Sequence, residues 1–124
     1  MQHAVRRVLA GLLLSIPLLA QAAPRPLPTL SPEDVEAAAA DYQRYCALCH
    51  GADRAGHAND HAPSLKSQSL LRTAVPWLMR EAIAYGRPGT PMGGYLDEVG
   101  GPMNLQQVVR LVLWLYQEGG SPER

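Results

Sequence analysis

A chain of 124 residues with no Phe makes one domain at most, with a modest core of the size that leans on a staple or a cofactor. From residue 23 onward nine Arg and Lys face all eleven Asp and Glu. That mildly acidic balance gives a nucleic-acid role no electrostatic support.

Arg6 and Arg7 precede an apolar run from Val8 to Leu19, and Ala20-Gln21-Ala22 follows with small residues at its first and last positions. This is the order of a secretory signal peptide over residues 1–22, and its cleavage leaves an exported, periplasmic protein beginning Ala23-Pro24. The run is short for a membrane span and Pro17 interrupts it; a tether through an uncleaved N-terminal segment is the alternative. Residues 23–30, with Pro24, Pro26 and Pro28, read as an extended, mobile lead-in to a domain over 31–124.

Ser31-Pro32-Glu33-Asp34 supplies an N-cap, a proline at the first helical position and acidic residues in the first turn. The helix it starts reaches Cys46, with Ala38, Tyr42 and Tyr45 on one face. Gly51 to Lys66 is polar and irregular, and a short helix is expected around Ser67 to Arg72. Pro76 opens a clearer helix through Met79 and Ile83 that Gly86 stops. Gly86 to Pro102 is so dense in Gly and Pro that it is a loop, structured or disordered. Asn104 caps a last helix to Glu118, ended by Gly119-Gly120. Nothing reads as a strand, so the expected fold class is all-α.

The chemistry concentrates in Tyr45-Cys46-Ala47-Leu48-Cys49-His50. Cys-x-x-Cys-His is the attachment signature of c-type haem. Two thiols at this spacing each add to one vinyl group of a porphyrin edge, and the next residue then lies under the iron. On this reading Cys46 and Cys49 become thioethers of one covalent haem c and His50 is the proximal iron ligand. Three rivals remain at this stage. A thioredoxin-like pair wants a strand before the motif. A zinc site would draw on Cys46, Cys49, His57 and His61. A disulfide across two residues closes almost no loop.

A sixth ligand is offered by His57, His61, Met79, Met92 and Met103. Met79 shares a helix with Trp77 and Ile83, which suits core packing, and Met103 sits just before the last helix as a staple. His57 and His61 read as solvent-exposed loop residues. Met92 stands in Gly89-Thr90-Pro91-Met92-Gly93-Gly94-Tyr95, where proline stiffens the chain and glycines allow close approach, and it is the preferred distal iron ligand.

With these residues in order, the chain from the first helix to the last resembles a mono-haem class I c-type cytochrome. The resemblance implies a small cytochrome c fold, its terminal helices crossing and its short helices and long loops wrapped around one haem. Family members carry a small residue and an aromatic eight and four positions before the first cysteine, which match Ala38 (usually glycine) and Tyr42. Their partners match Leu111 and Trp114. A family proline whose carbonyl accepts the proximal histidine's N–H matches Pro63. The implied function is a His/Met-ligated electron carrier rather than an enzyme, shuttling single electrons between redox partner proteins, with transient contact to membrane complexes. A haem sensor or peroxidase-like protein with a labile sixth ligand is the alternative, as is a small subunit of a respiratory or dehydrogenase complex. An apolar wall of Leu65, Leu70, Leu71, Val75, Trp77, Ile83, Leu96 and Leu111 is expected around the ring. Trp77, Tyr85, Arg87 and Thr90 are candidate donors to the propionates.

Overall fold

The computed structural model describes residues 26–120; the expected leader and residues 121–124 lie outside them. Five helices follow in order: α1 Pro32–Tyr45, α2 Ala47–His50, α3 Gln68–Thr73, α4 Pro76–Tyr85 and α5 Leu105–Glu118, with a 3-10 turn at Asp97–Val99 before the last. No strand occurs among the described residues, so the fold is all-α as the sequence implied.

Local chemistry sets the helix ends. The Ser31 hydroxyl accepts the Asp34 N–H at 3.1 Å, with Pro32 in the first turn. At α5 the Asn104 side chain accepts the Gln107 N–H at 2.9 Å while the Gln107 side chain accepts the Asn104 N–H at 2.9 Å, a reciprocal capping box. Asn104→Ala is expected to lower stability by ~1 kcal/mol in thermal or denaturant unfolding, because the Gln107 N–H loses its acceptor.

The core sits where α1 crosses α5. Ala38, Tyr42 and Leu111 are fully buried, and the Tyr42 and Trp114 rings meet at 5.3 Å between centroids, tilted by 41°. Alanine at position 38 lets the two backbones approach, and each large side chain buried there contributes roughly 1.5–3 kcal/mol. Beside the apolar seam Arg110 of α5 reaches back to α1, 3.1 Å from Asp41 and 3.6 Å from Asp34. The lead-in is not loose: Leu27 and Leu30 pack against the core, and the Leu30 N–H donates to the Gln117 side chain at 3.1 Å. Proline content alone pointed to a mobile segment; two leucines and one long-range hydrogen bond hold it down.

At the other end of α5, Gln68 donates to the Gly119 carbonyl at 2.6 Å and the Tyr116 hydroxyl donates to the Ala74 carbonyl, clamping α3. The Gly- and Pro-rich segment is a structured loop. Tyr95 and Leu96 donate to Ile83 and Ala84 at the end of α4, at 3.0 and 3.1 Å. Met103, fully buried, donates to the Tyr95 carbonyl at 2.9 Å.

Candidate functional site

The helix α1 delivers the chain directly into the Cys-x-x-Cys-His turn, since Cys46 is its C-cap and also begins α2. The His50 N–H donates to the Cys46 carbonyl at 2.9 Å, so cysteine and histidine are one helical turn apart. His50 is buried, 8% exposed, and its Nδ1 lies 3.0 Å from the Pro63 carbonyl. A carbonyl can only accept, so Nδ1 carries the proton and Nε2 keeps its lone pair for a metal. The partner expected from the sequence, Pro63, is the partner found.

Gly56 makes this contact sterically possible. Its backbone has φ +80°, and a side-chain carbon there would stand 2.5–2.8 Å from the backbone of Ala62, Pro63 and Ser64. Only glycine lets the two arms of the loop close so tightly, and its N–H donates to the His50 carbonyl at 2.7 Å. The loop tip carries His57 and His61, both exposed; His57 and Ala62 exchange backbone hydrogen bonds at 3.1 and 3.2 Å.

Cys46 is half-buried, Cys49 is exposed, and no disulfide joins them. Burial, then the neighbouring Asp41 and Cys49, pushes the Cys46 thiol from 9.0 up to about 12. An environment that disfavours the thiolate suits a neutral thioether. Among the described residues no three His, Cys, Asp or Glu come together as a metal-binding group. The element before the motif is a helix, which removes the thioredoxin-like reading. Two unbonded thiols one turn from a buried imidazole, with its outer nitrogen free, fit a covalently anchored haem.

Met92 is half-buried and packs against the core. Its position depends on Gly86, where φ is +77° and a side-chain carbon would come within 2.6 Å of the Met92 carbonyl. The Arg87 N–H donates to that same carbonyl at 2.9 Å. Thr90 has a different job from the one expected of it: its hydroxyl donates to the Arg87 carbonyl at 2.7 Å and accepts the Met92 N–H at 3.3 Å, so it builds the turn carrying Met92 instead of offering a free donor. Met79 and Met103 are core residues, as their helical and staple positions implied. Of the expected apolar wall, Leu71, Ile83, Leu96 and Leu111 are buried and Leu65 and Leu70 half-buried, but Val75 and Trp77 are exposed, Trp77 at 62%. Both lie at the start of α4, Val75 as its N-cap and Trp77 in its first turn.

Three contacts at the site were not visible in the sequence. Tyr95 donates its hydroxyl to the Tyr45 carbonyl at 3.0 Å, tying the methionine loop to the residue before Cys46. Arg54 stacks on Trp114, its guanidinium carbon 4.9 Å from the ring centroid. The fully buried Tyr42 donates to the Gly51 carbonyl at 2.6 Å, fixing the residue after His50. Burial, foremost, with Cys46 adding to it, pushes the Tyr42 phenol from 10.0 to about 12. The folded state therefore holds this proton more tightly than the unfolded chain, and the stability it supplies below pH ~10 is lost as pH rises toward 12. Tyr42→Phe is expected to cost about 0.5–1.5 kcal/mol at neutral pH, because the Gly51 carbonyl loses one of two donors and keeps the Arg54 N–H, and to flatten the alkaline fall in stability between those values. Denaturant unfolding across the pH range checks both parts.

Comparison with known proteins agrees with this geometry. The family profile matching residues 33–112 is described as cytochrome c oxidase, cbb3-type, subunit III. Over 76 residues, 61% of the chain, the sequence is 38% identical to dihydro-heme d1 dehydrogenase of Pseudomonas aeruginosa strain PAO1, of which that match covers 14%. A solved structure of dihydro-heme d1 dehydrogenase NirN in complex with DHE matches with a TM-score of 0.55 and 36% identity, covering 71% of this chain and 16% of that one. The chain thus spans about a sixth of these relatives' length. With a family match over well more than half its residues, a helical fold and the Cys46-Cys49-His50 motif in place, the chain belongs to this family of c-type cytochromes and is an electron-transfer domain with one covalent haem c.

Proposed function

We propose that this protein is an exported, periplasmic electron carrier, with Cys46 and Cys49 holding the haem, His50 as proximal ligand and Met92 as distal ligand. The observation that carries the reading is the His50 Nδ1 to Pro63 carbonyl bond at 3.0 Å, which leaves Nε2 as the only ring nitrogen able to ligate. Bound haem supplies a one-electron couple. The protein residues make that couple useful: Pro63 orients His50, the α1–α5 core keeps water from the proximal side, and the Gly86–Tyr95 loop presents a thioether that favours the reduced iron. With His50 and Met92 both held to the iron, no position would be left for substrate, so this pair of ligands goes with a carrier and not with a sensor or peroxidase-like protein. Among the described residues no helix is long and apolar enough to cross a membrane, and the leader at residues 1–22 supports export.

The donor and acceptor belong to the same proposal. The relatives carry the matching segment within a chain named for oxidation of a tetrapyrrole, so a dehydrogenase acting on a related tetrapyrrole is the redox partner we favour. The family description supports a second role, as a small subunit of a respiratory complex. Carbon monoxide tests the ligand set. The reduced protein at neutral pH is expected to leave its spectrum unchanged under the gas, because Met92 occupies the sixth position. Rapid formation of a carbonyl adduct would show an open iron and favour the sensor reading.

A further inference from the structure

We propose that Arg54 is a positioning residue for the proximal histidine, holding the Pro63 carbonyl against His50 by stacking on Trp114 of the last helix. The inference rests on the reading of His50 as iron ligand and adds to it a residue that no part of the haem motif contains.

Four residues after His50, Arg54 adopts φ +65°, a backbone conformation that glycine takes without strain and arginine does not. A side chain kept at such a position has work that hydrogen could not do. Its guanidinium carbon stands 4.9 Å from the Trp114 ring centroid. Its Nε is buried without a hydrogen-bond partner, and among the described residues it forms no ion pair. The stack on Trp114 is therefore its main attachment, and a guanidinium over an indole face with its Nε out of water is a favourable one.

The backbone of Arg54 passes this anchorage on. Its N–H donates to the Gly51 carbonyl at 3.0 Å. Its carbonyl accepts the Leu65 N–H at 2.9 Å and the Ser64 hydroxyl at 3.2 Å. Residues 64 and 65 directly follow Pro63, whose carbonyl takes the His50 ring proton at 3.0 Å. A continuous path runs from Trp114 through the Arg54 side chain and carbonyl to the acceptor that sets the histidine's tautomer and basicity. The α1–α5 core and the proximal ligand are joined through one arginine. An acceptor held closer to Nδ1 makes the imidazole more electron-rich and stabilises the oxidised iron, while a looser one raises the potential.

The test uses the haem-loaded protein with Arg54→Gly, which relieves the backbone and removes the stack, and Arg54→Lys, which keeps the charge but loses the planar group. Hydrogen exchange of the His50 ring N–H in the reduced protein is read by NMR, alongside the midpoint potential. Arg54→Gly is expected to exchange about tenfold faster, the scale of one lost cation–π contact. Arg54→Gly is also expected to shift the potential upward; a simple loss of nearby positive charge would shift it downward, so the sign in this variant separates the two causes, and Arg54→Lys, which keeps the charge, is expected to shift it upward as well. Unchanged exchange in Arg54→Gly together with an unchanged or lowered potential in both variants would overturn the inference while leaving the ligand reading intact. A His50 ring signal in the wild type without the haem ring-current shift would instead sink the ligand reading, and the inference with it.

Discussion

Replacement of Cys46 and Cys49 together by serine is expected to yield a chain from which all haem is extracted by acidified solvent, where the wild-type protein releases none. The two thiols supply the only covalent anchors, and His50 alone offers a single reversible bond. The effect on the fold should be as large. The fully buried Tyr42, Leu111 and Val108 and the nearly buried Trp114 make a real α1–α5 seam, but the domain is small and has no Phe. Domains of this size commonly need a staple. Far-ultraviolet circular dichroism of the double variant should accordingly show reduced helix content and a broadened thermal transition. Each single variant should keep haem through one thioether, with a shifted absorption maximum. A double variant with wild-type helicity and cooperative unfolding would show that the seam suffices without the cofactor.

Met92→Ala is expected to erase the weak far-red band of the oxidised protein and to lower the midpoint potential by on the order of 0.2 V, a fraction of the ~0.8 V range that axial ligation spans. The physical cause is the loss of a soft thioether donor that favours the ferrous state. The fold should survive, because Met92 is only half-buried and its loop is held by others: Gly86 against its carbonyl, Thr90 beneath its N–H, and Tyr95 on the Tyr45 carbonyl. Stability is expected to fall by about 1–2 kcal/mol, less than for truncation of a fully buried methionine. Met79→Ala provides the contrast, with the far-red band kept and a larger loss of about 2–5 kcal/mol as a core cavity opens. If Met92→Ala kept the band, another methionine sulfur would be the ligand, with Met79 and Met103 the remaining described candidates; a wild-type protein without the band would instead point to His57 or His61.

Much of the chain's plan is local, and local features were legible. Ser31 and Asn104 act on N–H groups three residues away, Pro76 and Gly86 bound their helix through their own backbone preferences, and Cys46, Cys49 and His50 meet within one helical turn. The helix-crossing residues Ala38, Tyr42, Leu111 and Trp114 were legible through resemblance, since periodicity marks a face without naming its partner. Proline density suggested a mobile lead-in because it carries no information about Gln117, whose side chain binds Leu30 from across the fold.

The sequence by itself therefore determined the helical class and marked the residues proposed to anchor the haem and ligate its iron, because those depend on residues within a turn or two of one another. The tertiary structure decided the rest. It turned the Gly- and Pro-rich segment into an ordered loop through bonds to the end of α4, gave Thr90 to the Met92 turn, and set Tyr95 against Tyr45. It also laid Arg54 on Trp114, behind the Pro63 carbonyl that orients His50. The Thr90 turn is local but has no signature of its own, while the Tyr95–Tyr45 and Arg54–Trp114 contacts join residues far apart in the chain. The energies of those two belong to pairs of distant residues, and no single stretch of sequence contains both members.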